Sequence, residues 1–164
     1  MTSSLQLIFY NSSHFEELNS YDLDESQSEF TVSVYESIVV RKVESISGKY
    51  SITIMLEEKP IGYFVLDFTD DKFNYTNCQD AVLLRSLSLN PDFQGKGLGK
   101  ASMLLTDEFV QTHFPEIKKI VLSVNFRNLS AYQLYQKTGY IDTGRIFEGI
   151  RGPQRIMEKF LNEF

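Results

Sequence analysis

Cysteine is nearly absent from this chain of 164 residues: Cys78 stands alone, so neither an internal disulfide nor a cysteine-built zinc cluster can form. Histidine is as scarce, with His14 and His113 far apart in sequence, and no metal site is expected. Basic side chains are also outnumbered, 16 Lys plus Arg against 22 Asp plus Glu, for a formal charge of −6. That balance argues against general affinity for nucleic acid or an anionic membrane, so any phosphate the chain binds must be held locally. No run approaches the ~20 apolar residues of a membrane span, and residues 1–10 lack the charged start and apolar centre of a secretory signal. A cytoplasmic location is expected, with neither nucleic acid nor membrane as a partner.

The chain does have material for a sizeable core, with 42% apolar side chains beside 23% charged ones. One globular domain over residues 1–164 is expected, because two full domains do not fit the length. No internal repeat, low-complexity tract or linker interrupts it.

The first half reads as a strand over 5–9, a short helix in the polar, acidic stretch 11–29, and a helix over 30–44. In the last, Val32, Tyr35, Val39 and Val43 recur at helical spacing, and Ser33 with Glu36 offers a capping box. Residues 50–56 and 61–68, broken near Pro60 and Gly62, predict two antiparallel strands joined as a hairpin. Residues 69–80, with Asp70, Asp71, Asn74 and Asn77, read as an exposed connection in which Cys78 is a bystander. The second half reads as a strand over 81–89, a turn at Asn90-Pro91-Asp92, and a helix over 97–113 with Leu98, Ala101, Leu105 and Phe109 as its buried stripe. A strand over 119–124, a helix over 128–137 ended by Gly139, and closing strands over 141–147 and 155–160 around the loop 149–153 complete it.

The most informative segment is Gln94-Gly95-Lys96-Gly97-Leu98-Gly99-Lys100, between a predicted strand and a predicted helix. Glycines there let a ligand approach the backbone, and the first N–H groups of the helix lack internal acceptors. With the positive helix end, they suit a phosphate or pyrophosphate. A Walker A loop ending at Gly99-Lys100 needs Gly at position 94 and Ser or Thr at 101, where Gln94 and Ala101 stand. A dinucleotide fingerprint starting at Gly95 needs Gly at position 100, where Lys100 stands.

A second constellation follows: Asn128 and Tyr135 are separated by roughly two helical turns, so they share a face, and Ala131 between them keeps that face low. Taken singly, Asn128 reads as a helix N-cap and Tyr135 as packing. Taken in order, the two segments resemble the GNAT N-acetyltransferase family. The resemblance covers approximately residues 81–140: Leu87-Ser88-Leu89-Asn90-Pro91, then Gln94 to Lys100, then Asn128, Ala131, Leu134-Tyr135, Lys137 and Gly139-Tyr140.

That resemblance implies an α/β (α+β) fold, a mixed, mostly antiparallel central sheet flanked by helices. Acetyl-CoA would insert where two neighbouring strands splay apart. Leu87, Ser88 and Leu89 would offer backbone polar groups to the pantetheine arm, with an amide aimed at the thioester carbonyl. Gln94, Gly95, Lys96, Gly97, Leu98, Gly99 and Lys100 would hold the pyrophosphate through backbone N–H groups, while the two lysines are either solvated or in contact with CoA phosphates. Asn128 would bond the CoA arm in addition to, or instead of, capping its helix. Tyr135 matches the family's general acid: a neutral amine attacks the acetyl carbonyl, the tetrahedral intermediate collapses, and Tyr135 protonates the leaving thiolate. Some relatives place a proton-accepting Glu where Ser123 stands here, which leaves Asp67, Glu148 or a water chain for that task.

Acceptor selection is implied around residues 22–35 and 148–154. Asp22, Asp24, Glu25 and Glu29 beside Phe30 and Tyr35 fit a cationic amine, whereas Arg145, Arg151 and Arg155 fit an anionic group, and both readings stand. The expected activity is acetyl transfer from acetyl-CoA to a primary amine of a small molecule or of a protein or peptide, by an enzyme compatible with a homodimer. The rival is a non-catalytic acyl-CoA sensor: Tyr135 favours the enzyme, and Ser123 keeps the sensor in play. A nucleotide-binding interaction module would instead bind ATP or NAD in a way that acetyl-CoA does not compete away.

Overall fold

A computed structural model of the protein describes residues 4–161, apart from Asp24 and the side chains of Glu25 and Ser26. Its strands are β1 (Leu5–Phe9), β2 (Lys49–Leu56), β3 (Lys59–Asp67), β4 (Ala81–Leu89), β5 (Lys119–Asn125), β6 (Ile141–Gly149) and β7 (Gly152–Phe160). They form one sheet in the order β1-β2-β3-β4-β5-β7-β6, antiparallel throughout except for the parallel pair β4 and β5. Helices α1 (Phe15–Leu18), α2 (Glu25–Ser28), α3 (Leu98–His113) and α4 (Leu129–Lys137) flank it. This is the mixed, mostly antiparallel α/β architecture expected from the sequence. Among the described residues no helix is long and apolar enough to cross a membrane.

Helices cover one face of the sheet with α3 and α4, whose Met103, Phe109, Val110 and Tyr135 pack on Ile52, Ile54, Phe64, Val82, Leu84, Ile120 and Leu122. The other face is covered beside β3 by Leu18, Val34 and Val43, and beside β4 and β5 by Tyr75. Strands β2 and β3 are therefore buried on both sides.

Four local expectations need correction. Residues 30–44 do not form one regular helix: a π-helical turn spans Glu36–Val40, Lys42 takes a left-handed conformation (φ 50°), and a 3₁₀ turn follows at Val43–Ser45. The Ser33 hydroxyl does accept from the Glu36 amide (3.0 Å), but the Glu36 carboxylate pairs with Arg41, so only one half of the expected box forms, and the β-branched residues disfavour a continued α-helix. Residues 69–80 are not simply exposed, because a 3₁₀ turn at Asp70–Asn74 carries Lys72, Tyr75 and Thr76 into buried positions. The buried residues of α3 are Ser102, Met103, Thr106, Phe109 and Val110, with Leu98, Ala101 and Leu105 half-buried. Ser102 and Thr106 tolerate burial because their hydroxyls donate to the carbonyls of Leu98 (2.7 Å) and Ser102 (2.9 Å), one turn earlier. The closing hairpin is tighter than expected, with β6 and β7 pairing up to Gly149 and Gly152.

The sheet opens at its centre. Strands β4 and β5 pair only from Ala81 to Leu83 against Lys119 to Val121. Beyond that point β4 carries a bulge: its pairing with β3 jumps from Arg85 to Ser88, and Ser86 sits at φ 62°. A bulge bends its strand and sharpens the twist, and here β4 parts from β5, which stays paired with β7 along its whole length.

Candidate active site

The gap between β4 and β5 is the mouth of a cavity of about 580 Å³, bounded by the β4 bulge, the turn into α3, the first turns of α4 and the α2 segment. That volume lies in the ordinary range for small-ligand sites. Leu87, Ser88, Leu89, Gln94, Gly95, Gly97, Gly99, Lys100, Asn128 and Tyr135, all expected at the site from sequence, line this one cavity. Two others do not. Leu98 packs on the core, and the Lys96 ammonium lies 5.6 Å from the centre of the Phe93 ring.

The start of α3 leaves backbone donors without helix partners. Gly95 and Gly97 are left-handed (φ 75° and 79°), and a Cβ on either would meet nothing within 4 Å, so the backbone conformation, not crowding, calls for glycine. No side chain caps the helix, its first turn holds no acid, and its first internal bond runs from the Ala101 amide to the Gly97 carbonyl (3.1 Å). The amides of Leu98, Gly99 and Lys100 thus lack intrahelical acceptors.

Asn128 caps α4, its Oδ1 accepting from the Ala131 amide at 3.3 Å. Tyr135 is 7% exposed and stands edge-on to Tyr140 with ring centres 5.7 Å apart. Burial pushes its hydroxyl up to about 12, so it remains a proton donor at neutral pH.

Neither expected carboxylate is placed to accept a proton from an amine. Asp67 lies outside the cavity, fully buried. Burial pushes its carboxyl up, but hydrogen bonds from Thr69 and Arg85 and the charge of Lys49 outweigh that and hold it below the usual range. Glu148 is exposed on β6 opposite Pro153, again outside the cavity. Ser123 does line the cavity, and its hydroxyl donates to Gln154 Oε1 at 2.5 Å.

The acceptor-side residues also divide. Arg145 donates to the Tyr75 carbonyl, and Arg155 pairs with Asp142 (3.2 Å) while stacking on Phe126 and Tyr132. Arg151 is the one of the three that lines the cavity. Glu29 pairs with Arg127, Asp22 and Tyr35 line a neighbouring cavity of about 470 Å³, and Phe30 lines the main one. Asp24 and the Glu25 side chain lie outside the described residues.

Sequence reasoning missed Thr31 and Gln27, and it gave Lys137 no role. Thr31 donates to the Leu87 carbonyl at 3.0 Å, beside the bulge. Gln27 and Gln94 exchange two amide hydrogen bonds (2.7 and 3.0 Å), and Gln94 also donates to the Leu89 carbonyl (2.8 Å). No local pattern announces such contacts between segments distant in sequence. Lys137, in the last turn of α4, also lines the cavity.

The Acetyltransferase (GNAT) family model matches residues 13–140. This chain belongs to the GNAT acetyltransferase family. A GNAT relative, "Uncharacterized N-acetyltransferase YbbJ" of Bacillus subtilis (strain 168), is 37% identical over 162 residues, which cover 98% of this chain and 100% of YbbJ. Among solved structures, the fold resembles AAC(6')-Ib in complex with ribostamycin and coenzyme A, with a TM-score of 0.77 and 22% identity over 96% of this chain and 93% of the other. It also resembles spermidine N-acetyltransferase from Vibrio cholerae in complex with CoA and spermine, with a TM-score of 0.72 and 16% identity over 98% and 97%. The GNAT sheet of this chain thus has the architecture of acetyltransferases crystallised with their cofactor.

Proposed function

We propose that this GNAT protein transfers an acetyl group from acetyl-CoA to the primary amine of a small molecule. The observation that carries the reading is the meeting, in one cavity, of three features: a strand edge without a partner, a helix start without a cap, and a buried tyrosine hydroxyl that keeps its proton. Acetyl-CoA, when bound, supplies the activated acetyl group.

In this reading the amides of Leu98, Gly99 and Lys100 hold the pyrophosphate, and Lys100 and Lys137 add charge at the same wall. Beyond Leu83 the backbone of β4 has no β5 partner, which leaves the segment Leu87, Ser88 and Leu89 to bond the pantetheine arm and to polarise the thioester carbonyl. Asn128 keeps its capping bond through Oδ1 and offers its Nδ2 to the arm. Tyr135 gives its proton to the departing sulfur. Among the described residues no carboxylate lines the cavity, so the proton of the acceptor amine leaves to water. Arg151, which donates to the carbonyls of Ser28 and Glu29, bridges the mouth and favours a small molecule over a peptide as acceptor.

The test is release of CoA thiol from acetyl-CoA with a panel of amines and peptides, alongside calorimetric binding of acetyl-CoA. Amine-dependent thiol release is expected. Tight binding with no release from any amine would favour the sensor, and ATP or NAD binding that acetyl-CoA does not displace would favour the interaction module.

A further inference from the structure

The cavity is charged in one sense. Among the described residues its lining carries Arg85, Lys100, Lys137 and Arg151 and no carboxylate. Lys100 and Lys137 lie on the wall built by α3 and α4, where cofactor phosphates would neutralise them. Arg85 is already paired with Asp67 (3.1 Å) and Asp71 (3.4 Å). Arg151 is different: its Nη1 donates to the neutral carbonyls of Ser28 (3.1 Å) and Glu29 (2.6 Å), and no carboxylate of the described residues pairs with it.

Its position is fixed and central. The Arg151 carbonyl accepts from Asn125 Nδ2 (2.9 Å) and Arg127 Nη2 (3.0 Å), which pins the turn between β6 and β7 over the end of β5. Arg151 lines both the main cavity and its neighbour, as do Leu23, Thr31 and Ser88. In the neighbouring cavity Glu36 is matched by Arg41 at 3.3 Å, and Asp22 is its one other described acid. With Nη1 engaged, the Nε and Nη2 edge of Arg151 has no partner among the described residues, and two parallel N–H donors on one edge fit a planar carboxylate.

Building on the acetyl-transfer reading, we infer that the acceptor is an amino acid or a close analogue. Its carboxylate is received by Arg151 while its amine is presented to β4 beside Ser88. A polyamine or aminoglycoside would instead bring further positive charge to a junction whose Arg151 has no carboxylate partner among the described residues.

Matched acceptors test this: leucine, leucinamide and isoamylamine, and phenylalanine, phenylalaninamide and phenethylamine, with spermine as the polycation. The readout is kcat/KM for thiol release, expressed per neutral amine. The acids are expected to exceed their amides and decarboxylated amines by about tenfold or more, the scale of one charge-assisted hydrogen bond. Arg151→Gln should bring that ratio towards one, and Arg151→Lys should keep part of it, which separates charge from the bridging of Ser28 and Glu29. A wild-type preference for the amides, the simple amines or spermine, or a preference for the acids that survives Arg151→Gln, overturns the inference. Should no amine release thiol although CoA binds, acetyl transfer fails as a reading. Calorimetry on the CoA complex then still decides the anion site: tighter binding of N-acetylleucine than of N-acetylleucinamide, lost in Arg151→Gln, supports it, and equal binding overturns it.

Discussion

Tyr135 belongs to the core and lines the cavity at once, so its proposed role in proton transfer can be separated from its packing. Burial raises its pKa to about 12. Removing the hydroxyl leaves the ring contacts in place, so Tyr135→Phe is expected to keep the melting temperature and acetyl-CoA affinity close to wild type. Turnover under conditions where chemistry limits the rate should fall about a hundredfold, the lower range for loss of a positioned acid. Because Tyr135 stays protonated through the working range, the wild-type rate should climb with pH as the acceptor ammonium, pKa ~10.4 for an alkylamine, gives up its proton. Unchanged turnover in Tyr135→Phe would remove it from the mechanism. A plateau reached near pH 7 whatever the acceptor would reveal a base in the protein.

At the scale of elements, the site depends on where β4 stops following its neighbours. Gly62 on β3 faces Leu89, and a Cβ there would come within 2.7 Å of the Ser88 carbonyl and 2.9 Å of Ile54 Cδ1. Neither β4 backbone nor core can yield cheaply, so Gly62→Ala should cost about 1–3 kcal/mol of stability, the usual penalty for overpacking. It should also weaken acetyl-CoA binding, because the displaced atoms belong to the cavity wall; denaturant melts and calorimetry measure the two effects. A variant with native stability and affinity would show that the wall adjusts freely. Local signals made α3, α4 and the glycine turn legible in the sequence: left-handed glycines, an Asn cap, and a tyrosine two turns on. The bulge at Ser86 was not legible, since it is a feature of pairing with β3, and the Thr31 hydroxyl that bonds the Leu87 carbonyl beside it comes from a segment distant in sequence. Nor was the true buried stripe of α3, because Ser102 and Thr106 satisfy their hydroxyls within the helix and so hide a buried face behind polar side chains.

For the whole molecule, a buried histidine on the face opposite α3 and α4 contributes to the response to acid. His14 is buried there: Nδ1 lies 2.9 Å from Thr53 Oγ1 and accepts from the Asn11 amide at 3.3 Å. An acceptor Nδ1 requires the neutral ring, and burial lowers the His14 pKa. The unfolded chain therefore binds a proton at this site more readily than the folded one, so stability rises with pH across the interval between the two pKa values. The contribution is fully present above about 6.5, the unfolded value, and is lost as pH falls from there towards the lower folded value. Asp67 and Asp142, whose carboxyls are held below the usual range, remain ionised in both states in the upper part of that interval. Asp107 acts in the opposite sense: burial raises its pKa despite the Lys159 partner, and it favours the folded state as the solution turns acidic. The melting temperature should accordingly drop as pH is lowered from 7 towards 5.5, and His14→Gln, which keeps a polar side chain without the titration, should flatten that drop. A wild-type melting temperature that holds steady over this range, or a His14→Gln variant with the same slope, would mean that Thr53 and Asn11 accommodate the charged ring.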